Sequence, residues 1–302
     1  MTKRACTYNP FPQFTLTSLL HSRKARTDAA MRLLKRLPDG SFELESVNDD
    51  EPPAYAILSH TWAPDQEVTY TELVSGIGTN KIGYNKLLFC TARAAVDGLQ
   101  YSWVDTCCID RSTSDELSTA INSMFRWYQG AALCYVYLSD VSVPDEIADI
   151  QASRTTWIDA FRKSRWFTRG WTLQELLAPG RVEFFSKECR PLGSKKSLEP
   201  DIHEITRIPI DVLRGRPLAE LSVDERMGWA NNRSTSRKED TVYCLLGLFN
   251  VFLPLIYGEG EAYARIRLRE EIQKRQDGQG IKSLRELHGR SFYRQQVLKK
   301  DV

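Results

Sequence analysis

Trp171 and Glu175 stand four residues apart in the segment Trp166-Phe-Thr-Arg-Gly-Trp171-Thr-Leu-Gln-Glu175-Leu-Leu. On a helix that spacing puts both side chains on one face. A carboxyl held beside an indole in so apolar a stretch is partly desolvated, and its pKa rises. By itself the pair also describes a core anchor and a surface acid, because Glu usually stays exposed. His60 in Ser59-His60-Thr61 is open to the same two descriptions, catalyst or satisfied structural residue. Asp105 and Asp110 flank Cys107-Cys108. They are placed either to hold a ribose or to cap the helix that follows. Gly78-Thr-Asn-Lys-Ile-Gly83 has the glycine spacing of a phosphate loop, but Tyr84-Asn85 replace the required Lys and Ser/Thr. It is not one.

The elements that must position these residues follow from periodicity. Residues 31–37 and 41–47 flank Pro38-Asp39-Gly40, which predicts a β-hairpin. Short apolar runs at 55–59, 101–105, 133–138 and 182–185 predict buried strands. Between them, residues 84–97 place Leu87, Leu88, Thr91, Ala94 and Ala95 on one helical face, with Gly98 as a stop. Thr113-Ser-Asp-Glu116 reads as a capping box before a stripe of Leu117, Ile121, Met124, Phe125 and Tyr128. Trp171 to Leu177 reads as a further helix ended by Pro179-Gly180. Apolar strands alternating with helices imply an α/β fold with a parallel sheet covered on both faces. Ligands of such sheets bind at the carboxyl ends of the strands. That rule points to Ser59-His60-Thr61, Thr106-Cys107-Cys108 and Ser139-Asp140.

From residue 197 the pattern turns helical: Ile202 and Ile205, a second capping box at Ser222-Val-Asp-Glu225, then 241–249 and 259–274. The expected organisation is an extension over 1–30, an α/β core over 31–196, a helical subdomain packed on the sheet over 197–275, and a tail or linker over 276–302. Residues 1–30 carry Lys3, Arg4, Arg23, Lys24 and Arg26 against Asp28, the composition of a disordered extension.

Forty-one Lys and Arg against 39 Asp and Glu leave a net charge of +2, with no basic stripe to suggest nucleic acid as a partner. The seven cysteines are odd in number and widely spaced, without C-x-x-C pairs. That pattern argues for reduced thiols in the cytoplasm and against a disulfide framework or a zinc site. No apolar run approaches the ~20 residues of a membrane helix.

Tyr55-Ala-Ile-Leu-Ser-His-Thr-Trp62, Trp103-Val-Asp-Thr-Cys-Cys-Ile-Asp110, Ala120-Ile-Asn-Ser-Met-Phe-Arg-Trp-Tyr128, Arg169-Gly-Trp-Thr-Leu-Gln-Glu-Leu176 and Pro254-Leu-Ile-Tyr-Gly-Glu-Gly260 together resemble the fungal heterokaryon incompatibility (HET) domain, over roughly residues 31–275. The likeness implies a role in programmed cell death after non-self recognition. In vegetative incompatibility proteins this domain sits ahead of a nucleotide-triphosphatase and β-propeller repeats, so the chain is expected to be a stand-alone domain or a fragment. HET domains in turn look like distant relatives of Toll/interleukin-receptor (TIR) domains. The active TIR enzymes cleave NAD with the Glu of a Trp-x-x-x-Glu element.

Carried over residue by residue, Glu175 becomes the catalytic candidate and Trp171 a pocket wall. His60, Asp105 and Asp110 would orient ribose or phosphates, and Arg169 the pyrophosphate, with Trp62 and Cys107 completing a nucleotide-binding set. NAD would be substrate, with no tightly bound cofactor. The helical subdomain and the Cys107-Cys108 pair depart from the TIR pattern. The alternative is a non-enzymatic adaptor that self-associates and recruits the next death effector, for which seven Trp and twelve Tyr supply interface anchors. An adaptor need not bury a carboxylate beside an aromatic wall; an NAD-cleaving enzyme must.

Overall fold

A computed structural model describes residues 31–144, 147 and 149–276. The proposed extension over 1–30 and residues 277–302 of the tail lie outside the described residues. Seven strands form one sheet in the order β2-β1-β4-β3-β5-β6-β7. They are β1 (Met31–Arg36), β2 (Phe42–Val47), β3 (Tyr55–His60), β4 (Tyr101–Trp103), β5 (Leu133–Tyr137), β6 (Val182–Phe185) and β7 (Pro191–Ser194).

The four central strands, β4-β3-β5-β6, are parallel, and the outer pairings are antiparallel. β3 is buried at every residue, as a strand covered on both faces must be. The hairpin β1–β2 forms as expected, with Gly40 at φ +88° in its turn. It joins the sheet through β1, which pairs with β4. β7 was not expected: Pro191-Leu-Gly-Ser194 carries almost no strand signal. It exists because the edge of β6 offers unpaired backbone groups.

The helices are α1 (Tyr70–Val74), α2 (Ile82–Val96), α3 (Asp105–Cys108), α4 (Ser114–Gly130), α5 (Ile158–Arg162), α6 (Thr172–Leu177), α7 (Glu199–Thr206), α8 (Ile210–Leu213), α9 (Val223–Gly228), α10 (Asp240–Tyr243), α11 (Leu246–Phe249) and α12 (Gly260–Gln276). Several local expectations are corrected. The strand expected over 101–105 stops at Trp103, and Asp105 opens α3 instead. Leu88 and Ala95 of α2 face solvent; the buried stripe runs through Gly83, Lys86, Leu87, Cys90, Thr91 and Ala94. The continuous helix expected over 241–249 is two short ones, α10 and α11.

The capping box at Thr113 does not form. Glu116 instead pairs with Arg32 and accepts from the Asp110 backbone N–H at 2.6 Å. A charged partner outcompetes a neutral hydroxyl. The Ser222–Glu225 box does form, and Thr69–Glu72 makes another that was not foreseen.

Among the helices that follow residue 197, α11 packs against α4. Gly247 makes this approach possible, since a Cβ there would fall 2.1 Å from the Phe125 Cβ. Gly83, the last glycine of the rejected phosphate loop, has a similar reason to be glycine. Its added Cβ would lie 2.6 Å from the Gln66 carbonyl oxygen.

Candidate active site

The parallel strands end in one line, so the side chains that close β3 and follow β4 meet above the sheet. Glu175 of α6 reaches this line from the side. It is 5% exposed and accepts a hydrogen bond from the Ser59 hydroxyl at its Oε2. Ser59 Oγ in turn accepts from Trp166 Nε1 at 2.7 Å. The Tyr128 hydroxyl also bears on the carboxyl and donates to the Leu58 carbonyl at 2.9 Å. Burial pushes the Glu175 pKa up to about 8; the Asp105 charge adds to the rise, while Ser59, Tyr128 and Arg233 oppose it. Near neutral pH the group is therefore mostly a neutral acid.

The indole tied to Glu175, through Ser59, is that of Trp166. Trp171 is the residue just before α6, and its Nε1 turns to Asp240 Oδ2 at 3.4 Å. Tyr257 completes the Asp240 contacts, donating at 3.0 Å. Burial raises the Asp240 pKa.

His60 sits beside a different pair of carboxyl groups, Glu67 and Asp105, with its side chain almost fully enclosed. Its Nε2 stands 3.5 Å from Glu67 and 4.0 Å from Asp105. Neither ring nitrogen has a hydrogen-bond partner among the described residues. Buried imidazoles are rarely left so. Burial works against the Glu67 charge, but His60 and Lys86 outweigh it and hold that carboxyl at about 2. Lys86 pairs with Glu67 and donates to the Thr61 carbonyl at 3.1 Å.

Toward solvent, Trp62 donates from Nε1 to Asp105 at 3.1 Å. Arg111 lies 3.6 Å from the same carboxylate and 4.3 Å above the Trp62 ring. Arg111 also acts electrostatically on Asp240, so the two groups of residues are one continuous constellation.

Of the residues singled out by sequence, Glu175, His60, Asp105, Trp62 and Trp171 come together here. Three do not. Asp110 is spent on a turn, accepting from the Ser112 backbone at 3.0 Å and its hydroxyl at 2.6 Å. The Cys107 thiol is fully buried against the Val104 carbonyl at 3.8 Å, and burial raises its pKa. Arg169 points to the Ser236 hydroxyl at 3.2 Å, and its backbone bridges to Ser234. That bridge explains Gly170, where a Cβ would lie 2.5 Å from Thr235 Cγ2.

The cation acting on Glu175 is Arg233, which donates to the Arg169 carbonyl and the Thr172 hydroxyl, both at 2.9 Å. Its Nη2 is buried with no hydrogen-bond partner among the described residues, and burial lowers its pKa to about 10. Ser59 lay inside a tripeptide marked by the strand-end rule. Trp166, Glu67, Lys86, Arg111, Arg233 and Asp240 carried no spacing signal, since each joins from a different element.

Cys90, Cys107, Cys108, Cys134 and Cys244 are buried free thiols. Among the described residues no helix is long and apolar enough to cross a membrane.

Residues 55–149 match the family described as Heterokaryon incompatibility protein (HET). That span contains His60, Trp62, Glu67, Lys86, Asp105, Arg111 and Tyr128, and Glu175 follows it. Over 248 residues, 81% of its length, the chain is 54% identical to Vegetative incompatibility protein HET-E-1 of Podospora anserina. It spans 18% of the length of that relative. No solved structure matches. The chain belongs to the heterokaryon incompatibility (HET) domain family.

Proposed function

We propose that this chain is a cell-death effector of fungal vegetative incompatibility, and that it acts by cleaving NAD at the nicotinamide–ribose bond. The observation that carries the chemistry is the setting of Glu175. It is a carboxyl buried at the strand ends among Ser59, Trp166 and Tyr128, with its pKa pushed up to about 8. The parallel core β4-β3-β5-β6, with a Trp-x-x-x-Glu element after its third strand in sequence, supports the TIR-like relationship on which the activity rests.

In the proposed step the bond between the ribose carbon and the pyridinium nitrogen breaks, and its electron pair leaves with nicotinamide. Water adds to the ribose carbon, giving ADP-ribose and a released proton. Positive charge grows on the ribose as the bond lengthens, and an adjacent carboxylate stabilises it. The substrate itself prepares that carboxylate. A cationic nicotinamide ring brought against Glu175 favours its ionised form and draws the pKa back down. His60, with no hydrogen-bond partner of its own, and Asp105 would meet ribose hydroxyls. Trp62 and Arg111 offer a stacking face and a phosphate partner.

Glu175 is closed off, and the contact we propose to open for substrate is the Trp62–Asp105 hydrogen bond. Opening that contact on self-association would make the activity conditional on assembly. Such assembly would be directed by the further length of chain seen in the HET-E-1 relative, for which a nucleotide-triphosphatase and repeats are the expected partners.

The adaptor reading draws on a different observation. Phe252, Ile256, Tyr263 and Ile266 are all roughly half or more exposed, an apolar set suited to self-association or recruitment. Induced expression in a fungal host separates the two. The enzyme reading expects death accompanied by NAD depletion, both lost in Glu175→Gln. Death at unchanged NAD, equal in wild type and Glu175→Gln, would leave the adaptor.

A further inference from the structure

A large cavity lies at the other end of the sheet. It encloses about 1120 Å³ and is bounded by the C-terminus of α6, the start of β6, the end of β7, and α8 and α11. β6 runs parallel to β5 and β3, so its first residues are remote from His60. Eight Arg and Lys side chains line the cavity. Arg126, Arg214 and Arg216 are paired with carboxylates, Asp49, Glu199, Asp211 and Glu220 among them, so the unneutralised cations include Lys195, Arg226, Arg181 and Lys196.

Two of these cations are buried, Lys195 at 9% and Arg226 at 8% exposure. Lys195 Nζ donates only to main-chain carbonyls, Pro179 at 2.8 Å and Leu176 at 3.2 Å. Arg226 donates to the Leu248 and Ser222 carbonyls at 2.9 and 3.4 Å and stacks 4.5 Å over Phe249. Neither has a carboxylate partner among the described residues. Burial lowers the pKa of both. A buried charge is costly unless an opposite charge meets it, and here two such charges face one space. Arg181 and Lys196 stand exposed beside them with no ion-pair partner among the described residues.

We infer that this cavity binds a small organic anion carrying at least two phosphate groups. Ammonium and guanidinium donors converging from separate elements match several phosphate oxygens at once. The volume is at the upper end of small-molecule sites, roughly 300–1,000 Å³, which favours a compact ligand over a polymer. The apolar part of the lining, Val212, Phe249 and Phe252 among it, favours an organic body over a bare inorganic ion. This site is separate from the proposed NAD chemistry and stands without it.

The test uses the full chain with inositol hexakisphosphate, ATP and inorganic pyrophosphate as probes, read by calorimetry and thermal shift. One of the two organic probes is expected to bind and to raise Tm by about 5 °C at a hundredfold excess over Kd. The exposed double variant Arg181→Glu/Lys196→Glu should keep the ligand-free Tm and weaken that binding tenfold or more. Lys195→Met, which also frees the Pro179 and Leu176 carbonyls, should lose it. The inference is overturned by no shift with either organic probe at millimolar concentration, or by wild-type affinity in the double variant. Pyrophosphate binding as tightly as the organic probes would equally overturn it, as a simple anion trap.

Discussion

The Ser59 hydroxyl, on β3, donates to the carboxyl of Glu175 on α6, 116 positions later in the chain. This contact ties the central strand of the sheet to the helix that carries the candidate catalytic group. Ser59 accepts from Trp166 at the same time, so one small hydroxyl satisfies two buried neighbours. Ser59→Ala should leave an indole N–H and a carboxyl unpartnered, at a cost of about 1–3 kcal/mol. Because Ser59 opposes the rise in the Glu175 pKa, its loss should push that pKa higher still. Urea denaturation of the variant checks the first effect. The pH dependence of its stability checks the second.

The raised pKa of Glu175 is itself a stability statement. Between pH 4.5, the ordinary value for the unfolded chain, and about 8, the folded state holds a proton that the unfolded state has lost. Its contribution is fully present below pH 4.5 and disappears as pH rises through 8. The loss is at most about 5 kcal/mol. Glu175→Gln, which does not titrate, should remove this part of the slope. Denaturation of both proteins at pH 5 and 8.5 should show the variant gaining relative stability at the higher pH.

Glu67 behaves in the opposite sense. Its pKa, held at about 2, means that its contribution is present above pH 4.5 and lost as pH falls toward 2. Lys86, 2% exposed, depends on it. Glu67→Gln should cost about 3–5 kcal/mol by leaving a buried ammonium unpaired, and Glu67→Gln/Lys86→Met should recover much of that. A double-mutant cycle measured at pH 7 gives the coupling.

Gly247→Ala should separate α11 from α4, since the new methyl would fall on Phe125. Overpacking of this kind costs about 1–3 kcal/mol. Phe125→Leu should partly rescue it, as read by thermal denaturation of the single and double variants.

The parallel core was legible because β3 and β5 are short, mostly apolar runs, and their length and flanking turn residues mark them as strands. β7 was not, because a Pro-Leu-Gly-Ser tetrapeptide becomes a strand only when β6 offers an edge. In the site, Glu175 was singled out through the Trp-x-x-x-Glu resemblance, since its spacing to Trp171 alone describes a core anchor and a surface acid equally well. The partner that positions it, Ser59, comes from a distant strand, and no local pattern announces a contact across 116 residues. Arg169 and Arg233 show the same limit. The sequence favoured the Arg adjacent to the motif, while the fold turns that side chain to Ser236 and brings Arg233 in beneath it. Cys107 drew notice by standing at a strand end, but the four-residue helix there turns its thiol into the core.

The most direct test is nicotinamide release from NAD by the purified chain, free and in forced oligomers, followed across pH beside Glu175→Gln. The account predicts release by the wild type, with kcat/KM rising toward about pH 8 as free Glu175 ionises, and a loss of at least a hundredfold in kcat in the variant. Release at equal rates by wild type and Glu175→Gln, or none from forced oligomers at any pH, would contradict it.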